Sequence, residues 1–181
     1  MTIERAPARI LGLAFAEDPL WSWILPDPAG RAERLTLVFD TLLRVRESCG
    51  DRVVSREGTA ALWSPPGAPR DGLVETVRML PGLLRGVGGG IGRLAQAAAL
   101  FERERPSAPH GYLALLGTAP EARRRGTASG VVRELLEGCP LAWLETENPA
   151  NVVFYERLGF EVRRTAILGP VTVRFMGRAG S

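Results

Sequence analysis

The chain has 181 residues, of which 45% are hydrophobic and 24% are charged, an ordinary balance for a folded domain. This length predicts one domain over residues 1–181 with a sizeable core, and no apolar run approaches the roughly 18 residues that a membrane helix needs. The first residues are not those of a secretory signal, so we expect a cytoplasmic protein without membrane attachment.

Two cysteines and one histidine limit the chemistry that the chain can support. Cys49 and Cys139 are too few for a disulfide framework. His110 and two separate thiols offer little from which to build a zinc site. We therefore expect no disulfide scaffold and no metal.

All 23 basic residues are arginine, and the formal net charge is +3. The absence of lysine excludes a P-loop, which requires that residue. The enrichment in Arg, Ala, Gly and Pro is typical of a GC-rich bacterial genome. The basic residues are scattered rather than clustered, which argues against nucleic-acid binding, whereas a basic surface favours a polyanionic ligand.

The N-terminal part is predicted to be helical. Residues 6–17 and 31–46 carry apolar residues at helical spacing. Between them, two prolines interrupt the chain around Trp21 and Trp23. We expect two amphipathic helices joined by an irregular segment.

The middle of the chain predicts a hairpin and then more helix. Residues 51–54 and 59–63 have the composition of two short strands around a glycine turn. Residues 73–104 predict a helix in two pieces, interrupted by the glycine-rich run 86–92. That run does not fit a GxGxxG frame and follows no strand, so we expect a flexible break and not a nucleotide site.

The C-terminal part alternates between strand and helix. This order predicts an α/β sheet with helices on both faces. Its predicted elements are a strand at 112–118, a helix at 126–137, a strand at 141–146, a helix at 149–158, and an antiparallel pair at 160–167 and 171–176.

The loop from Arg123 to Ala128 joins one of these strands to the next helix. The first N–H groups of a helix lack intrahelical acceptors and carry partial positive charge, so they form an anion site. Gly126 and Ala128 keep side-chain bulk away from the backbone, and three arginines add phosphate donors. The same residues would also suit a solvated basic turn, and the loop alone does not decide between the two.

A second segment, Asn151–Phe160, reads N-x-x-F-Y-E-R-L-G-F. Together with the R-x-x-G-x-A pattern of 123–128, one α/β unit upstream, it resembles the GNAT superfamily of N-acetyltransferases. The resemblance extends over nearly the whole chain and is closest to the puromycin N-acetyltransferase branch. It departs from the family at Thr127 and Ala128, and the short N-terminus leaves the usual first strand in doubt.

The resemblance implies the GNAT fold, an α/β (α+β) fold with a central mixed, mostly antiparallel sheet, splayed between strands 4 and 5. It implies acetyl-CoA as co-substrate. Backbone groups of 116–118 would pair with the pantetheine arm, and the N–H groups of 124–129 would hold the pyrophosphate. The expected cofactor residues are Leu116, Gly117, Thr118, Arg123, Arg124, Arg125, Gly126, Thr127, Ala128, Ser129 and Asn151.

The reaction needs one group to deprotonate the amine and another to protonate the leaving thiolate. By resemblance Tyr155 is the general acid. Two candidates remain for the base, His110 at the start of the cofactor strand and Glu145 on the neighbouring strand. Direct transfer in a ternary complex is favoured over an acyl-enzyme, because nothing places a base beside Cys139.

The acceptor is expected between the N-terminal helices and the sheet. Asp18, Trp21 and Trp23 are candidates, since an amine cation favours carboxylates and aromatic faces. The predicted function is acetyl-CoA-dependent N-acetyltransfer to a primary amine of a small molecule, by a monomer or homodimer. The alternatives are a silent CoA-binding module and a protein N-acetyltransferase.

Overall fold

The structure is a computed structural model that describes residues 6–69 and 72–179. The helices are α1 (Ala6–Phe15), α2 (Pro19–Ile24), α3 (Arg31–Ser48), α4 (Leu73–Val87), α5 (Ile91–Glu104), α6 (Thr127–Leu136) and α7 (Pro149–Glu156). The strands are β1 (Arg52–Arg56), β2 (Thr59–Ser64), β3 (Gly111–Thr118), β4 (Leu141–Thr146), β5 (Glu161–Leu168) and β6 (Val171–Ala179). Within these residues no helix is long and apolar enough to span a membrane.

The described strands form one sheet in the order β1-β2-β3-β4-β6-β5. Neighbours are antiparallel except β3 and β4, which are parallel and pair only at Gly111 with Ala142 and at Tyr112 with Trp143. Beyond those two pairs the strands diverge, so the second half of β3 is bonded to β2 alone. This confirms the predicted mixed, mostly antiparallel, splayed sheet, and the splay expected between strands 4 and 5 of the family lies between β3 and β4 of the described strands.

Helices cover both faces of the sheet, as predicted. One core cluster joins α1 to α5 with β3 and β6, and it includes Phe39 and Phe175. The other joins α6 and α7 to β4, and it includes Val131 and Tyr155. Each face is closed by burying apolar side chains, which is the main stabilising contribution to such a layered fold.

The segment around Trp21 and Trp23 is a helix, not the irregular break that its prolines predicted. Asp18 caps α2 by accepting from the N–H groups of Leu20 and Trp21 at 2.9 and 3.2 Å. Pro19 occupies the first helical position, where its missing N–H costs no hydrogen bond.

Arg31 holds this helix against the rest of the domain. Its buried guanidinium donates to the carbonyls of Ala16, Leu25 and Pro26 at 2.6, 2.8 and 3.1 Å. Because these carbonyls flank α2 on both sides, the bonds fix the turn that carries Asp18. Residues 1–5, where the family's usual first strand was in doubt, and residues 70–71 of the loop after β2 lie outside the described residues.

Candidate active site

A cleft of about 370 Å³ opens where β3 and β4 diverge. One wall is the C-terminal end of β3, and the opposite wall is the first turns of α6 and α7. The turn between α1 and α2 closes one side. Its lining residues are Ala14, Phe15, Glu17, Asp18, Leu116, Gly117, Thr118, Arg123, Ala128, Asn148, Asn151, Phe154 and Tyr155.

The loop that precedes α6 has the backbone of an anion site. Gly126 caps the helix with φ +80°, and Arg124 has φ +66°, a left-handed conformation that is unusual for a residue with a side chain. No side chain caps the helix, so the first-turn N–H groups remain available to a ligand. Arg123 donates to the Thr118 carbonyl at 3.3 Å and so ties the loop to the end of β3.

Of the predicted cofactor residues, the structure brings Leu116, Gly117, Thr118, Arg123, Ala128 and Asn151 to the wall of the cleft. Arg124, Arg125, Gly126, Thr127 and Ser129 lie in the same loop and the first turn of α6. Asn151 is held by a bond from its amide to the Thr146 hydroxyl at 3.2 Å.

Tyr155 lies on α7, which begins at Pro149 after the capping residue Asn148. Its ring packs edge-on against Phe154 and Phe160, at centroid distances of 5.0 and 5.8 Å. Burial, and then the nearby carboxylates of Glu147 and Glu145, raise the pKa of Tyr155 well above its ordinary value. The phenol is therefore held in its protonated form.

Glu145 accepts a hydrogen bond from the Tyr112 hydroxyl on the neighbouring strand. The guanidinium of Arg105 lies over the Tyr112 ring, 3.7 Å from its centroid. Burial raises the pKa of Glu145 to about 7, and the Tyr112 bond and the charge of Arg105 oppose that rise. Glu145 can therefore exchange a proton near neutral pH.

Glu147 was missed by the sequence analysis. Burial raises its pKa well above the ordinary value, and the charges of Asp18 and Glu145 raise it further. Burial also raises the pKa of Asp18 to about 6, against the two capping bonds that lower it. The available signal was strand periodicity, because Glu145 and Glu147 are two residues apart at the end of β4.

The structure does not bring His110 to Tyr155. His110 directly precedes β3, seven residues ahead of Gly117, and seven extended residues span roughly 23 Å. It lines a separate cavity of about 170 Å³ and donates from Nδ1 to the Ala108 carbonyl at 2.7 Å.

The two tryptophans do not line the cleft either. Trp21 is buried and packs edge-on against Phe39 at 5.2 Å, while Trp23 lies under the guanidinium of Arg93 at 5.7 Å. Of the three expected acceptor residues, only Asp18 lines the cleft. Cys139 is buried in the core beneath α6, and its thiol donates to the Leu141 carbonyl at 3.1 Å.

Within the described residues, no group of three or more His, Cys, Asp or Glu side chains is arranged to hold a metal ion. Besides backbone N–H and C=O groups, the cleft offers a ligand the Tyr155 phenol, the Arg123 guanidinium, two side-chain amides and the carboxyls of Glu17 and Asp18. These are donors for an anion at one end and acceptors for a cation at the other.

Residues 86–162 match a family model described as an acetyltransferase (GNAT) domain. Solved structures share the fold over the whole chain. A Corynebacterium glutamicum protein described as histone acetyltransferase HPA2 and related acetyltransferase is 22% identical, with a TM-score of 0.74 over 100% of this chain and 94% of that one. A putative GNAT acetyltransferase from Desulfovibrio desulfuricans is 14% identical, with a TM-score of 0.53 over 98% and 92%. The fold is thus the GNAT fold, and together with the domain match over 86–162 it supports an N-acetyltransferase.

Proposed function

We propose that the protein transfers the acetyl group of acetyl-CoA to a primary amine of a small molecule by direct attack in a ternary complex. The observation that carries the proposal is the cleft at the β3–β4 splay. There an incompletely paired strand, an uncapped helix N-terminus and a buried tyrosine meet. These features could bond the pantetheine arm, hold the pyrophosphate and protonate the leaving thiolate, respectively.

The free edge of β3 suits the pantetheine arm. Backbone groups of 116–118 that face the splay have no partner on β4, so they can bond to the amides of the arm. The N–H groups of 124–129 and the arginines of the loop would hold the pyrophosphate. Asn151 would contact the cofactor arm from the side of α7.

Two groups of the chain would handle the protons. Glu145 accepts the proton of the acceptor ammonium, and its pKa of about 7 suits a base that works near neutral pH. The freed amine forms the C–N bond as the C–S bond breaks, and the second proton that the nitrogen then loses converts the Tyr155 phenolate back to the phenol. Tyr155 donates its phenolic proton to the departing sulfur, and its raised pKa keeps that proton in place until the thiolate forms.

A protein acceptor is the second candidate. The Corynebacterium glutamicum structure is described as a histone acetyltransferase and related acetyltransferase, which favours a protein amine. The third candidate is a catalytically silent CoA-binding module. We place the chain in the puromycin N-acetyltransferase-like branch on its segments 14–35 and 144–160, as a bacterial, cytoplasmic protein that is a monomer or homodimer.

Thiol release from acetyl-CoA, measured against a panel of small amines and peptides, tests the function. We expect turnover with a small amine, and Tyr155→Phe to lower kcat by about a hundredfold, because the leaving sulfur loses its proton donor. CoA affinity should stay within about twofold, since the ring still fills its place in the core. No turnover with any amine would leave only the silent module, and transfer to peptides alone would favour the protein acceptor.

A further inference from the structure

Helix α4 turns most of its large apolar side chains away from the domain. The exposed ones are Leu73, Val74, Val77, Leu80 and Leu84, with exposed fractions of 81%, 65%, 59%, 42% and 45%. Single exposed apolar residues are common on protein surfaces, whereas a contiguous group marks an interaction surface. The group on α4 is contiguous, because its members follow one another along the helix at spacings of three and four residues.

The opposite face of α4 packs on α3 through small residues. Gly86 is buried and Gly82 is half-buried, and a β-carbon at Gly82 would overlap Thr41 of α3. Residues 75, 79, 82 and 86 form this inner face, and each lies two positions after a residue of the exposed set 73, 77, 80 and 84. Two positions rotate a helix by about 200°. The leucines and valines therefore stand on the far side of α4 from the helix that supports it.

The residues Leu73, Val77, Leu80 and Leu84 form what we term the outer seam of α4. Their 4-3-4 spacing is that of the apolar stripe along which one helix packs on another. The inner face has the same spacing and is covered by α3, since Met79 and Gly86 are buried there. Helix α4 thus has two packing faces, and the domain covers one of them.

We propose that the outer seam packs against the outer seam of a second copy of this chain, with the two α4 helices antiparallel about a two-fold axis. The axis passes between Val77 and Leu80. A two-fold interface must be self-complementary, and this seam is, because Leu73 meets the partner's Leu84 and Val77 meets the partner's Leu80. The antiparallel arrangement also places the two helix dipoles head to tail. Dimer formation does not depend on acetyl transfer.

The exposed area on α4 is sufficient for a dimer. A fully exposed leucine or valine offers on the order of 150 Å², so the five residues at their exposed fractions offer roughly 450 Å² per copy. Two copies would bury about 900 Å² of apolar surface. Since about two thirds of a homodimer interface is apolar, this corresponds to a total of about 1,400 Å², within the range of specific interfaces.

The composition of α4 favours a protein partner over a membrane surface. Helices that lie in a lipid interface have aromatic residues on the apolar face, and the sequence of α4 contains none. Arg78 and Arg85 are exposed and stand about a third of a turn from the outer seam, so they form a polar rim that stays in water. An uncharged seam with a charged rim on one flank is the pattern of a helix that packs on another helix.

Sedimentation velocity of the intact protein over a range of concentrations tests the dimer. We expect a dissociation constant of about 1–50 µM, as befits an interface at the lower end of the specific range. The double variant Val77→Gln, Leu80→Gln should raise this constant at least a hundredfold, because each substitution removes an apolar contact twice in a two-fold dimer. Glutamine has nearly the helix propensity of leucine, so the variant should keep its fold and its unfolding midpoint at low protein concentration.

Ile167→Gln is the matched control. Ile167 is 71% exposed on β5 and lies outside α4, so its substitution removes a comparable apolar surface elsewhere and should leave the dissociation constant within about twofold.

Disulfide cross-linking tests the antiparallel arrangement. Leu73 and Leu84 are eleven positions apart, about 16 Å along the helix, whereas a disulfide requires Cα atoms within about 7 Å. The double variant Leu73→Cys, Leu84→Cys should therefore form a covalent dimer on mild oxidation, and each single variant should remain uncoupled. The unchanged protein, which retains Cys49, gives the background.

A protein that remains monomeric up to about 200 µM would overturn the proposal. A dimer that persists in Val77→Gln, Leu80→Gln, or one that is lost in Ile167→Gln, would place the interface elsewhere and overturn it as well. Cross-linking of Leu73→Cys alone would contradict the antiparallel arrangement. Co-sedimentation with vesicles of anionic phospholipid that the double glutamine variant abolishes, without dimer formation, would assign the outer seam to a membrane surface instead.

Discussion

The hydroxyl of Tyr112 is one of the two groups that hold down the pKa of Glu145, the proposed base. Glu145 must be deprotonated to accept a proton, so kcat/KM should rise with pH through about 7. Tyr112→Phe removes the bond that favours the carboxylate and should move this rise upward by about one pH unit. The pH dependence of kcat/KM measures the shift.

The variant removes the Tyr112 hydroxyl and its bonds to Glu145 and Arg105, while phenylalanine retains the ring under Arg105. At pH values above the rise, the rate should return to within about twofold of the original. Tyr155→Phe provides the contrast, since it should lower the plateau and leave the midpoint in place. An unmoved midpoint in Tyr112→Phe would remove Glu145 from the role of base.

Sequence patterns located single residues where a motif includes them. Tyr155, Asn151 and the β3 residues 116–118 were predicted from motif position, and the structure places them around one cleft. Glu147 could not be found in this way, because its significance depends on Asp18, which lies more than a hundred residues earlier in the chain. His110 precedes β3 at the end away from the cleft, and a position beside a strand does not tell which end of that strand meets the cofactor.

At the scale of elements, two glycines at the start of α6 and within it distinguish two effects on stability. One is the effect of a left-handed backbone conformation, and the other is the effect of helix propensity. A β-carbon at Gly126 or at Gly130 would meet no atom within 4 Å, but only Gly126 has a positive φ, +80°. Gly126→Ala should therefore destabilise the fold by about 1–2 kcal/mol and weaken CoA binding, because the loop N–H groups reorient. Gly130→Ala, inside the helix, should stabilise it by about 0.5–1 kcal/mol.

Urea unfolding and CoA titration of both variants check this pair. Equal effects of the two substitutions on unfolding would show that the left-handed conformation of Gly126 is not needed. An unchanged CoA affinity in Gly126→Ala would separate the loop conformation from phosphate binding.

The glycine-rich run between α4 and α5 contains two kinds of glycine. Gly86 is buried, and a β-carbon there would overlap Val38 and lie 3.0 Å from the Arg34 carbonyl, so it permits α4 to pack on α3. Gly92 is exposed and has nothing within 4 Å. We expect Gly86→Ala to destabilise by about 1–3 kcal/mol and Gly92→Ala to stabilise by about 0.5–1 kcal/mol.

Thermal or urea unfolding measures both changes. A destabilising Gly92→Ala would indicate that the break needs backbone freedom beyond the close contact at Gly86. The predicted interruption of the helix is confirmed, since α4 ends at Val87 and α5 begins at Ile91. Its main structural role is close packing, which a single sequence does not reveal.

Most elements followed from periodicity, because each strand or helix buries one regular face. The predicted strands and helices from residue 112 onward agree with the structure to within a few residues. The exception in the N-terminal part was α2, whose Pro19 was interpreted as a break. Proline interrupts a helix in its interior but suits its first turn, and Asp18 directly before it was the start signal.

At the scale of the molecule, the half-buried carboxyls of Asp18, which lines the cleft, and Glu145 make folding stability depend on pH in an unusual direction. Burial raises the pKa of Asp18 from 3.8 to about 6 and that of Glu145 from 4.5 to about 7. A group whose pKa is higher in the folded state holds its proton more tightly there. Its contribution to stability is therefore complete below the pKa that it has in the unfolded state, and it is lost as the pH rises through the pKa that it has in the folded state.

The free energy of unfolding should therefore fall between about pH 4 and pH 7, by up to roughly 3 kcal/mol for each of the two carboxyls. Glu147, whose pKa is raised by burial and by the charges of Asp18 and Glu145, adds to the fall.

Urea unfolding at half-unit steps of pH measures this dependence, and the Asp18→Asn, Glu145→Gln double variant should flatten it because neither amide titrates. A free energy that is level or rises over this range would show that these carboxyls are not held protonated.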